Sequence, residues 1–227
     1  MAEYGQFCPV AKATDIVGEK WTVLILRELL LGTTRYNDLQ RGLSRISPTL
    51  LSKRLKTLTA KGLIVRKRAP GQKSYEYHLT ACGRELEPLI EHLAVWGMRW
   101  ARGQMTDYEL DVEFLMWDLQ RRLRTEGLPD GETVLCFTFE ELEKFRTWWL
   151  VADGVDVDLC TKHPGKDVDL HISTRVRDLA EVWNGDVDLR EAMREKRIRT
   201  RGNPQLTKTM PDWLGISPFA GVRPAER

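Results

Sequence analysis

Residues 46–68 read ISPTLLSKRLKTLTAKGLIVRKR, and 69–80 continue APGQKSYEYHLT. Ser47-Pro48 is a helix start, because a serine hydroxyl satisfies an orphan amide and proline fits the first turn. Leu51, Leu55 and Leu58 then recur at i, i+4 and i+7, which makes one buried stripe. Gly62 closes this helix. Its opposite face carries Thr49, Ser52, Lys53, Lys56 and Thr57. Beyond it, LIVRKR and KSYEYHL flank Pro70-Gly71, a type II turn signal, and Tyr75, Tyr77 and Leu79 alternate. The pattern predicts a β-hairpin with basic arms and a basic tip.

Upstream, Cys8-Pro9 reads as a helix cap and first helical position, followed by Val10, Ala13, Ile16 and Val17 at helical spacing and a stop at Gly18. Residues 20–31, KWTVLILRELLL, are apolar almost all round and predict a central, buried helix. Gly32 stops it. Thr34 is positioned to cap a short helix through Leu39, with Gly42 as terminator. Downstream, Thr80 caps a predicted long helix whose apolar stripe is Leu86, Leu89, Ile90, Leu93, Trp96, Gly97 and Trp100. Helix, helix, short helix, capped helix, basic hairpin and long helix is the layout of a winged helix-turn-helix, assigned to residues 1–103.

Residues 103–107 read as a junction and 108–124 as an amphipathic helix, so 104–130 is a connecting segment. After the Pro129-Asp130-Gly131 turn the texture alternates in TVLCFTFE (133–140), RTWWLVA (146–152), VDVDLCT (155–161) and DVDLHIS (167–173). These predict strands of an antiparallel sheet, with turns at Asp153-Gly154 and His163-Pro164-Gly165. Helices near 176–184, 189–196 and 204–214, and a short strand at 197–201, complete a second domain over 131–227. The expected class is α+β.

A chain of 227 residues suits one large domain or two small ones. Charged residues at 30% and apolar residues at 42% fit a folded protein, not a disordered tail. No run approaches the ~18 apolar residues of a membrane span. The start lacks the basic and apolar regions of a signal peptide. The expected location is the cytoplasm, with no membrane partner. Cys8, Cys82, Cys136 and Cys160 form no C-x-x-C pair, which argues against a zinc site and a disulfide scaffold. No cofactor is expected.

The net charge of +2 hides an asymmetry. Residues 1–103 hold 17 Lys/Arg against 9 Asp/Glu, and the remainder holds 18 against 24. Residues 41–73 contain ten basic side chains and no acidic one. Such a block suggests a polyanion partner, of which nucleic acid is the commonest; the bland alternative is a solvated basic face. A helix enters the major groove when its outward side presents short polar donors and long cations. Thr49, Lys53 and Lys56 form that stripe, with Ser47, Ser52 and Arg54 beside it. The first turn lies nearest the bases, so Ser47, Thr49 and Lys53 are the base-contact candidates. Arg35 and Arg41 suit phosphates. Arg66, Arg68, Gln72 and Lys73 on the hairpin suit the backbone or minor groove. The stripe of Trp, Leu and Ile on the long helix needs a cover, either a second subunit or the chain's own C-terminal domain.

The strings IVGEKWTVLILREL (16–29), RYNDLQRGL (35–43), ISPTLLSKRLKTLTAKGLIVR (46–66), YEYHLTACGREL (75–86), Cys8-Pro-Val and Trp96-Gly97 resemble the HxlR-type transcriptional regulators, a branch of the MarR-like winged-helix group. The resemblance covers about residues 8–100. It implies homodimers on double-stranded operator DNA, acting by repression. They would pair through the N-terminal and long helices, making Val10, Leu86, Leu89, Ile90, Leu93, Trp96 and Trp100 interface candidates. Glu19 departs from the small or polar residue usual before Lys20-Trp21. The resemblance also makes Cys8 a redox candidate, which a helix N-terminus and nearby Lys12 would favour as thiolate. The bland reading of Cys8 is packing.

Residues 130–215 resemble sterol-carrier-protein-like domains, through DLHIS, VRDLAEVWNG, LREAMREK and Ile-Arg-Thr-Arg-Gly-Asn before a closing helix. Such domains imply an apolar pocket for a small effector. Phe137, Phe139, Trp148, Trp149, Trp183, Met210 and Trp213 are available to line it or to form an ordinary core. Neighbours in a strand point to opposite faces, so only one of Trp148 and Trp149 can face that core. Asp-Val-Asp-Leu occurs at 156–159, 167–170 and 186–189, but the aspartates lie on strand faces or at a helix start and do not gather in one calcium loop. No metal site is expected, and Asp188 reads as a cap. No Walker, G-x-G-x-x-G, G-x-S-x-G or H-E-x-x-H string occurs, and the histidines are scattered, so an enzyme is not expected. The expected function is a DNA-binding transcriptional regulator under ligand or thiol control. The alternative is a carrier for small apolar molecules with incidental DNA affinity.

Overall fold

Ser47 begins the decisive helix as its chemistry requires. The Leu50 amide donates to the Ser47 hydroxyl at 3.3 Å, Pro48 occupies the first turn, and α4 runs Pro48–Ala60. It closes on Lys61 and Gly62, the latter at φ +76, a conformation glycine adopts without a Cβ clash. The computed structural model describes residues 4–69, 71, 74–104 and 106–225. The chain forms two compact units, Met1–Val95 and Trp96–Arg227.

In the first unit, α1 (Pro9–Val17), α2 (Thr22–Leu30) and α3 (Tyr36–Gly42) precede α4, and an antiparallel hairpin of β1 (Ile64–Arg68) and β2 (Tyr75–Leu79) follows it. Ile25, Leu26 and Leu29 of α2, Leu39 of α3, Leu51, Leu55 and Leu58 of α4, and Ile64 and Leu79 of the hairpin form one buried cluster. This is a winged helix-turn-helix.

Three local expectations change. First, α2 is not buried all round: Leu24 and Leu31, seven residues apart and so on one stripe, are exposed. Second, Arg35, not Thr34, stands at the cap position of α3; the Thr34 carbonyl instead accepts from the Tyr77 amide at 2.8 Å. Third, the long helix is broken. Thr80 caps only α5 (Ala81–Arg84), where the Gly83 amide donates to its hydroxyl at 3.2 Å, and α6 (Glu87–Trp96) starts afresh. Pro88 supplies no amide for the Arg84 carbonyl and its ring crowds that carbonyl, so it suits the first turn of α6 and not the interior of one continuous helix. After α6 the chain makes a wide π turn at Gly97–Ala101.

The second unit contains α7 (Val112–Arg122), capped by Asp111, whose carboxylate accepts from the Phe114 amide at 3.0 Å. Its strands are β3 (Glu132–Phe139), β4 (Thr147–Asp153), β5 (Asp156–Cys160), β6 (Leu170–Thr174) and β7 (Arg199–Gly202). They form a five-stranded sheet in the order β5-β4-β3-β6-β7. Helices α8 (Val176–Asn184), α9 (Leu189–Arg194), α10 (Pro204–Lys208) and α11 (Met210–Trp213) complete it. Asp188 caps α9 by accepting from the Arg190 and Glu191 amides.

The sheet is antiparallel at every pairing except one: β6 runs parallel to β3. β5 and β6 point the same way on opposite sides of β3-β4, so the connection cannot be a hairpin and must cross the sheet. His163-Pro164-Gly165 therefore belongs to a crossover, and Asp167-Val168-Asp169 precedes β6 and is not part of it. Asp169 still acts in the sheet. Its carboxylate accepts from the Val134 amide at 2.8 Å and its amide donates to the Val134 carbonyl at 2.9 Å. The closing helix is also split in two at Thr209, just before Pro211.

Candidate nucleic-acid interface

With Leu51, Leu55 and Leu58 turned inward, the helical period places Thr49, Ser52, Lys53 and Lys56 on the outer side of α4, and all four are exposed, as is Ser47. Lys53 and Lys56 have no side-chain partner among the described residues. Tyr36 braces the start of the helix. Its hydroxyl donates to the Pro48 carbonyl at 2.9 Å and accepts from the Ser52 hydroxyl at 3.2 Å. This tie links α3 to α4 across twelve residues, and no local sequence signal announces it.

Arg54 departs from its expected role. It is half-buried, its guanidinium paired with the Glu19 carboxylate, while its Nε donates to the Lys20 carbonyl at 3.1 Å. It faces the α1–α2 corner, because position 54 sits at the margin of the leucine stripe. Arg35 and Arg41 are exposed beside acids, at 3.8 Å from Glu76 and 3.6 Å from Asp38. Surface pairs of this kind are worth about 0–1 kcal/mol and exchange readily for a stronger anion.

On the hairpin, Arg66 and Arg68 are exposed and alternate with Lys67. The Arg66 guanidinium lies 3.7 Å over the centre of the Tyr75 ring, which holds a long cation in place. Tyr75 and Lys67 join the candidate contacts of the hairpin; the sequence signals for them are the Tyr75-Tyr77 alternation and the basic run 66–68. Glu76 is the acid of the hairpin and is shared by Arg35 and His78. Gln72 and Lys73 lie outside the described residues.

The interface candidates divide by burial. Leu86, just before α6, and Ile90 are half-buried and pack against the first unit's core. Val10, Leu89 and Leu93 are exposed in the first unit, and Trp96 and Trp100 in the second. Tyr4 and Phe7 are exposed as well. Cys8 is half-buried at the head of α1.

In the second unit, Phe137, Phe139, Trp148, Met210 and Trp213 lie inside one core cluster, and Trp183 packs against it. The Trp213 indole donates to the Leu206 carbonyl at 3.0 Å and the Trp183 indole to the buried Asp118 carboxylate at 2.9 Å. Trp149 points to the other face and meets the His163 ring edge-on, with centroids 5.5 Å apart. Burial pushes the Cys136 thiol above its ordinary value, which disfavours the thiolate. Among the described residues no group of three or more His, Cys, Asp or Glu side chains could hold a metal ion. None of the described helices is long and apolar enough to cross a membrane.

A three-helix core with a helix-turn-helix, a basic hairpin and an outward cationic stripe defines a winged helix-turn-helix of the DNA-binding class. The chain belongs to the HxlR-like helix-turn-helix family, which it matches over residues 16–105, and residues 120–212 match the SCP-2 sterol transfer family. It is 34% identical to the uncharacterized HTH-type transcriptional regulator YvaP of Bacillus subtilis, over 42% of this chain and 90% of that protein. It is 36% identical to YdeP of the same organism, likewise called an HTH-type transcriptional regulator, over 41% of this chain and 73% of that protein. A solved MarR-family regulator from Porphyromonas gingivalis W83 is 35% identical, with a TM-score of 0.38, over 43% of this chain and 97% of that one.

Proposed function

We propose that this chain is a homodimeric, sequence-specific DNA-binding transcriptional regulator that acts as a repressor. The observation that carries the reading is the exposed stripe of Thr49, Lys53 and Lys56 on a helix held from behind by three buried leucines. The family match supports it. Ser47, Thr49 and Lys53 would meet base edges. Arg35, Arg41, Lys56, Arg66 and Arg68 would meet phosphates and set the register. The test is a gel shift with the promoter duplex flanking the protein's own gene. A shift that survives competitor DNA supports regulation. A shift lost to competitor leaves only incidental charge binding and overturns the reading.

The dimer rests on exposed Val10, Leu89 and Leu93, apolar side chains that a solitary surface leaves in water. A two-fold pair would set its recognition helices about one DNA turn, ~34 Å, apart. Sedimentation velocity should show a dimer, and Leu93→Asp should shift it to monomer; a monomeric parent protein overturns the assembly.

Two inputs would bias the spacing of the recognition helices by population shift. One is modification of Cys8: alkylation with iodoacetamide is expected to weaken the gel shift, and an unchanged shift removes this input. The other is a small apolar effector in the C-terminal unit, a role that rests on the SCP-2 match. Density for a co-purified apolar molecule among Phe137, Phe139, Trp148 and Trp213 would support it; a solid core there removes it.

A further inference from the structure

We propose that Glu19 withholds one cation of the recognition helix from the duplex and thereby raises the share of affinity that depends on sequence. This rests on the DNA-binding reading above. Residues 41–73 carry ten basic side chains and no acid of their own, so any neutralising partner must come from elsewhere. Glu19, thirty-five residues before Arg54, supplies it. Both side chains are only 14% exposed in their ion pair, whereas neighbouring Lys53 and Lys56 stand free in solvent.

The corner that carries Glu19 is stiff. Gly18 ends α1, the Thr22 amide donates to the Glu19 carbonyl at 3.0 Å, and Trp21 sits at φ +79, a left-handed conformation that costs a bulky residue free energy. Arg54 therefore meets two acceptors fixed in one corner, the Glu19 carboxylate and the Lys20 carbonyl. Swinging it out to a phosphate would leave a half-buried carboxylate and a carbonyl without their donor. Arg54 is thus a positioning residue that ties α4 to the α1–α2 corner. Glu19 sets how many charges α4 offers the backbone. Phosphate contacts carry no sequence information, so masking one lowers binding to all duplexes alike.

The test is the salt dependence of binding by the full chain to a fluorescent duplex of mixed sequence. Glu19→Gln frees Arg54 and should steepen the slope of log K against log salt by about 0.9, the value of one phosphate contact. Across about 50 to 200 mM salt, its affinity should fall about 3.5-fold further than the parent's. Arg54→Met should leave the slope unchanged, since Arg54 makes no phosphate contact in the parent protein. The double variant Glu19→Gln/Arg54→Met should return to the parent slope; if it stays steep, loss of the acid alone explains the change and the proposal falls. A shallower slope for Arg54→Met, or an unchanged one for Glu19→Gln, also overturns it. Should Glu19→Gln fail to fold, the Arg54→Met slope decides alone. A parent chain that ignores every duplex at low salt overturns the regulator reading and this inference together; normal binding with unmoved slopes overturns this inference only.

Discussion

Reversing the charge at both Lys53 and Lys56, as Lys53→Glu/Lys56→Glu, is expected to abolish the duplex shift while leaving the circular dichroism spectrum unchanged. Both side chains are exposed and make no hydrogen bond or ion pair among the described residues, so the fold should lose little when they change. Binding loses two cations from the centre of the recognition face. A base contact such as that of Lys53 is worth about 1–3 kcal/mol, a fall of about 5-fold to 150-fold, and loss of the Lys56 phosphate contact weakens binding to all duplexes further, before repulsion is counted. The parent interaction should itself weaken about 10³-fold between 50 and 200 mM salt if about six phosphates are neutralised. The variant should show a visibly flatter dependence. Anisotropy titrations at several salt concentrations measure both, and unaltered binding by the double variant would mean that α4 is not the reading helix.

The second large effect lies in the other unit. Phe137→Ala is expected to cost about 3–5 kcal/mol, out of the roughly 5–15 kcal/mol that holds a domain together. Phe137 is fully buried on the central strand, in register with Trp148 on β4 and Ile172 on β6. Val155→Ala, on a side chain 89% exposed in the β4–β5 turn, should stay within about 0.5 kcal/mol. The core clusters of the two units share no residue, so urea unfolding should resolve two transitions, and Phe137→Ala should move only that of the C-terminal unit. A cost below about 1 kcal/mol would show that the site tolerates a void. It would then favour an open effector pocket there over a filled core.

The features that were legible beforehand are those whose cause is local. Ser47-Pro48, Thr80 and Asp188 each announce a helix start within four residues, because a cap bonds its own first turn. The leucine period of α4 and the hairpin alternation are likewise short-range patterns. The break before α6 is equally local in cause, since Pro88 cannot donate to the Arg84 carbonyl, but the apolar stripe runs through it unbroken. What stayed hidden depends on partners far along the chain. Arg54 belongs to a run of cations until Glu19 is brought beside it. Leu86 and Ile90 belong to the same apolar pattern as Leu89 and Leu93, and tertiary packing decides which pair leans on the core. Strand direction in β6 could not be read from its alternation, because period two is the same for parallel and antiparallel neighbours.

That parallel β3–β6 pairing has a kinetic consequence. Its anchoring bonds join Val134 to Asp169, thirty-five positions along the chain, and they form only after the intervening hairpin and crossover have been drawn together. Closing so long a loop forfeits chain entropy before any ladder repays it, and topologies rich in such distant pairings assemble slowly. The N-terminal unit closes loops as long, as from Thr34 to Tyr77, but its own ladder, β1–β2, is a local hairpin that needs no crossover. As the polypeptide emerges from synthesis, the N-terminal unit is thus in a position to be complete while the sheet that follows it along the chain is still finding its register.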